Sequence, residues 1–129
     1  MPLQAAESLE GERVVGASGE ELGAIEEIMI DVQRGIVAYA IVSRDGVAGM
    51  EERLFPIPWG ALELDAQRRC FVLDTDRDRF ATAPGFDKDR WPSMADERWG
   101  AEVHRFYGMR PYWDARSGGG VAGNRTLRA

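Results

Sequence analysis

At 129 residues, with 44% hydrophobic and 29% charged positions, the chain has the composition of one soluble globular domain, long enough to bury a core without metal or disulfide staples. A net charge of −6 and a pI near 4.8 argue against nucleic acid as a partner. The single cysteine excludes an internal disulfide, no apolar run reaches the roughly 18 residues a spanning helix needs, and Met1–Glu12 has no signal-like pattern, so a cytoplasmic protein that touches membranes at most peripherally is expected.

In chain order, residues 1–12 have no period and read as a flexible leader. Arg13–Ala17, with its Val14-Val15 pair, reads as a short strand, and Ser18-Gly19-Glu20-Glu21 as a turn. Leu22–Val32 carries both helical and alternating spacing; the glycines at its start and the Gln33-Arg34-Gly35 turn at its end favour a strand. Ile36–Ser43 is continuously apolar and β-prone, as a central strand should be, and pairs with Ile28–Val32 in a hairpin. Leu54–Pro58 holds two prolines, which cannot donate to a ladder, so it should sit at an edge or end at Pro58. A short strand after Trp59-Gly60 and another at Cys70–Leu73 bring the total to about six and predict a mainly β fold, a small closed barrel.

The tract Ala83–Trp113 is different in kind. Prolines, glycines and aromatic rings crowd together; residues 76–113 hold seven acids and seven bases, whereas residues 1–75 hold fourteen acids and six bases. Ser93 is the predicted N-cap of a helix from near Met94 to Tyr107, with Trp99, Val103, Phe106 and Tyr107 as its apolar stripe and Gly108 as its stop. The expected organisation is a leader (1–12), a barrel (13–75), a helical and aromatic extension packing on the barrel or on a partner chain (76–113), and a flexible Gly-rich tail (114–129). Trp59 and Trp99 are expected as core rings, each worth roughly 3–5 kcal/mol on truncation to Ala.

No motif names a reaction. Gly118–Gly123 has the letters of a dinucleotide fingerprint but neither the strand before it nor the helix after it. Asp74–Asp78 begins like a calcium loop, yet Arg79 and Gly85 stand where glycine and a bidentate glutamate are required. The only histidine, His104, falls one residue past a stripe position and is expected at the edge of the packed face, and Cys70 reads as a small core hydrophobe. Glu20-Glu21, Glu26-Glu27 and Glu51-Glu52 are adjacent on predicted strands and turns, so each pair should split between faces. No catalytic residue, metal or cofactor is expected.

Taken in order, Gly19-Glu20-Glu21-Leu22-Gly23, Ile28-Met29-Ile30-Asp31, Gly35-Ile36-Val37-Ala38-Tyr39, Phe55-Pro56-Ile57-Pro58-Trp59 and Ala83-Pro84-Gly85-Phe86-Asp87 resemble the PRC-barrel family. That family includes the cytoplasmic domain of the photosynthetic reaction centre H subunit and the C-terminal domain of a bacterial ribosome-maturation factor. Trp91-Pro92, Tyr107-Gly108 and Pro111-Tyr112-Trp113 look like its stand-alone bacterial branch. The loop Gly46–Arg53 departs from the family's usual Asp-Lys ending. The resemblance implies a non-catalytic adaptor, with Gly19, Gly23 and Gly35 at positive-φ turns and Pro58-Trp59 closing a barrel edge. Its structural and interaction residues would be these together with Asp31, Pro84, Gly85, Phe86, Trp91, Trp99, Tyr107 and Trp113. Three readings follow: an interaction module acting as a homodimer, a peripheral subunit tied to photosynthetic electron transfer, and, ranked last because the maturation factor's N-terminal barrel has no counterpart here, a ribosome-assembly adaptor.

Overall fold

The computed structural model describes residues 5–44 and 53–114. The chain is mainly β: β1 (Arg13–Val15), β2 (Glu21–Asp31), β3 (Ile36–Ser43), β4 (Arg53–Pro58), β5 (Leu62–Asp65), β6 (Cys70–Leu73) and β7 (Phe86–Asp87), with α1 (Arg77–Phe80) and α2 (Glu97–Phe106). They form one sheet in the order β5-β6-β1-β2-β3-β4-β7. Neighbours are antiparallel except β1 and β6, which run parallel. The sequence predicted about six strands and a closed cylinder. There are seven, and among the described residues no ladder joins β5 to β7.

The β2–β3 hairpin is the spine. Asp31 accepts from the Arg34 backbone N–H at 2.9 Å and Gly35 takes φ +70°, which closes the turn. Two register shifts interrupt the hairpin, leaving Glu26 and Ala38 each without an opposite residue. The first shift explains why Glu26 and Glu27 are both exposed, where strict alternation would have separated them. Pro56 and Pro58 lie on β4 opposite Ile41 and Tyr39; β4 is the penultimate strand, between β3 and β7, and it ends at Pro58.

Both faces of β3 are covered. On one, Ala40 and Val42 pack with Val14, Leu22, Ile25, Phe55, Ile57, Phe71, Leu73 and Phe80. Each fully buried aliphatic here contributes about 1.5–3 kcal/mol. On the other, Tyr39 and Ile41 pack with Leu54, Phe86 and Val103 of α2. This two-sided burial is why β3 is apolar throughout. The leader also takes part: Ala6–Leu9 makes a 3-10 turn, Leu9 packs on the first core, and Glu12 and Gly11 bond to Ile25 through the backbone.

Two helical details differ from expectation. Asp76 caps α1, accepting from the Arg79 N–H at 2.8 Å, which turns the calcium-like acid run into a helix start that buries Phe80 against Phe55. The cap of α2 is Asp96, three residues beyond Ser93; Ser93 instead accepts the Asp96 N–H through its backbone carbonyl. Gly108, at φ +68°, ends α2 as predicted.

Candidate functional site

The tip of the β2–β3 hairpin, the segment leading into α2 and the last described residues enclose a cleft of about 480 Å³. Its walls come from Met29–Arg34, Ala38 and Tyr39 on the hairpin, Met94, Ala95 and Glu97 before and at the start of α2, and Tyr112 and Trp113. Beside it the hairpin presents Ile30, Val32 and Ile36, which are 51%, 86% and 40% exposed.

Tyr39 is the hub of the cleft floor. Its ring meets Trp99, His104 and Tyr112 at centroid distances of 5.5, 5.5 and 5.7 Å, all edge to face. Burial pushes its phenol upward, with the Tyr112 hydroxyl adding to the shift. Gly100 makes this approach feasible, since a Cβ there would stand 2.8 Å from both the Tyr39 hydroxyl and Trp113 Cη2. Asp31 pairs with Arg34 at 3.0 Å. The Arg34 backbone N–H, opposed by partial desolvation and helped by the Arg34 and Tyr112 side chains, holds its carboxyl below the usual range.

His104 is not at the edge of the packed face; it is 1% exposed. The buried line of α2 runs Gly100, Val103, His104, flanked by Trp99, Phe106 and Tyr107. Its ring lies between Nδ1···O of Gly100 at 2.7 Å and the Tyr112 N–H, which donates to Nε2 at 3.2 Å. A carbonyl can only accept and an amide N–H can only donate, so the proton sits on Nδ1. Burial lowers the imidazole's affinity for a second proton, the Gly100 carbonyl opposing. The sequence signal for this was the four-residue spacing of Gly100 and His104 beside Val103.

The structure gathers some of the predicted residues and scatters others. Asp31 and Trp113 line the cleft and Trp99 packs on Tyr39 of its floor, with Tyr107 packed against the cores on either side of the sheet. Gly19 and Gly35 have positive φ, at 89° and 70°. Gly23 does not: it lies within β2, where a Cβ would stand 2.0 Å from the Ser43 carbonyl oxygen, so close approach to β3 is what requires glycine. Pro58 is buried; Trp59 is half-buried on Phe71 at 5.6 Å rather than enclosed in a barrel. Away from the cleft, Gly85 lies against Phe55 and Phe86 is buried, while Pro84, just before them, is half-buried. Trp91 departs from the expected buried ring: it is 43% exposed, leaning on Phe86 at 5.0 Å and donating to the Lys88 carbonyl. Cys70 is buried, as read from its strand. Among the described residues no three His, Cys, Asp or Glu side chains converge as a metal-binding group, and no helix is long and apolar enough to cross a membrane. The Gly46–Glu52 part of the departing loop, Glu51-Glu52 and the Gly118–Gly123 run lie outside the described residues, as does nearly all of the predicted tail.

No curated protein matches the chain. Among solved structures, one from Pseudomonas aeruginosa described as a 16S ribosomal RNA processing protein, RimM, aligns at 23% identity with a TM-score of 0.38, over 60% of this chain and 47% of that one. This chain therefore spans about half the length of that protein. The PRC-barrel domain profile matches residues 1–80, from the leader through α1, and stops short of α2 and the Tyr112-Trp113 wall. With that match covering well over half its length, and with the mainly β sheet carrying the motifs in the expected order, the chain belongs to the PRC-barrel family.

Proposed function

We propose that this protein is a non-catalytic interaction module that pairs with a second copy of itself through the tip of the β2–β3 hairpin. The observation that carries this reading is the exposure of three large apolar residues, Ile30, Val32 and Ile36, at the end of the β2–β3 hairpin. The charge distribution supports a self-partner. The chain carries −6 overall, so most pairs of its faces repel, but the tip holds one acid and one base, Asp31 and Arg34, already paired. A neutral apolar tip suits a twofold contact, in which each copy presents the same patch. The non-catalytic reading is supported by two titratable groups at the cleft: Asp31 is held by Arg34, and both His104 nitrogens are occupied within the fold.

Light scattering at micromolar concentration tests the proposal. The expected mass is twice 14.3 kDa, and Val32→Asp should return a folded monomer. A strictly monomeric parent protein, or a Val32→Asp variant that still pairs, overturns it.

A further inference from the structure

We propose that His104 is a pH-sensitive latch: its neutral ring holds the Tyr112-Trp113 wall of the cleft closed, and uptake of a proton releases that wall. The inference rests on hydrogen-bond direction and is independent of self-pairing. The Tyr112 N–H donates to Nε2 at 3.2 Å, so Nε2 must keep its lone pair for the contact to exist. The other nitrogen is committed to the Gly100 carbonyl at 2.7 Å. Protonation would set two donors against each other and place a charge among rings, with Tyr39, Tyr112 and Trp113 centroids 5.5, 5.8 and 5.6 Å away.

The groups facing the ring are few. From α2 comes the Gly100 carbonyl, from β3 the Tyr39 ring, and from the C-terminal segment Tyr112 and Trp113. Both tyrosine phenols are pushed upward and stay neutral through the acidic range. Among the described residues, charge approaches through Tyr112, on which Asp31, Arg34 and Glu97 act. None of these acts on the imidazole, whose proton affinity is lowered by burial against the Gly100 carbonyl's opposition.

The sign follows from linkage. With the wall open, the ring is in water and titrates near its ordinary 6.5; with the wall docked, it titrates lower. Docking is therefore at full strength above pH 6.5 and weakens as pH falls, by about tenfold per unit, until the docked ring itself titrates. Because Tyr112 and Trp113 line the cleft, opening them would widen it at low pH.

Nuclear magnetic resonance on the intact protein tests this directly, since the chain has one histidine and its ring signals need no sorting. The expected result at pH 7.5 is the Nδ1–H tautomer. As pH falls below 6.5, protection of the Tyr112 amide, taken relative to its intrinsic exchange rate, should fall while Val42 and Ile57 amides hold theirs. An Nε2–H tautomer, or Tyr112 protection that does not change with pH, overturns the proposal. His104→Phe keeps a ring without a titrating nitrogen and should show weak Tyr112 protection with no pH step; a step that survives would overturn it too. Should that variant fail to fold, the tautomer and titration of the parent protein decide alone.

Discussion

The two faces of β3 are built differently. The face of Ala40 and Val42 looks onto aliphatic side chains with three buried phenylalanines, nearly all within the stretch the PRC-barrel profile matches. The face of Tyr39 and Ile41 looks onto α2 and the residues after it, beyond that stretch, and is covered mainly by aromatic rings with polar atoms. The first face holds the larger cluster of buried side chains. The second keeps half-exposed rings, a histidine and a cleft. A shared strand thus joins two packings of different make-up, and the difference should show in the cost of damage on each side.

The largest effect is expected on the first face. Phe80→Ala removes a buried ring 5.1 Å from Phe55 and should cost about 3–5 kcal/mol, lowering Tm by more than about 10 °C in calorimetry. On the second face, Trp99→Ala should cost about 2 kcal/mol, below the expectation from sequence, because its ring is half-buried. Trp59→Ala, half-buried on the edge of the first face, should fall close to Trp99→Ala in a urea titration. If Trp99→Ala proves as costly as Phe80→Ala, the contrast between the faces fails. The smallest effect belongs to the hairpin tip. Asp31→Asn disturbs an exposed ion pair and should cost less than about 1 kcal/mol. Its sign with pH is distinctive. The native carboxyl titrates below its ordinary 3.8, so its contribution is present above that value and fades as pH falls through the folded value. Parent and Asp31→Asn should therefore converge in stability under strong acid.

Much of the first face was legible from residue patterns. β3 carries an unbroken β-prone apolar run, Gly35 closes the hairpin, and the prolines of β4 announce its end at Pro58. What escaped depended on contacts between remote segments. The parallel pairing of Arg13–Val15 with Cys70–Leu73 leaves no local trace. Gly23 has the same letter as the turn glycines but a different cause, crowding by Ser43, which only the register reveals. His104 was read as peripheral because the stripe was anchored on large apolar residues; Gly100, its partner one turn back, counts for nothing in an apolar tally yet lies at the centre of the buried line. The cleft joins a hairpin tip to residues about eighty positions later, so its existence could not be read from either piece.

The parallel contact between β1 and β6 also has a temporal meaning. A chain made from its N-terminus exposes the outer edge of β1 on the ribosome while β2, β3 and β4 find one another by short connections. That edge stays without its cover until the segment at Cys70 has emerged, so a stalled or shortened product ending before it would leave an open strand margin ready to stick to its neighbours.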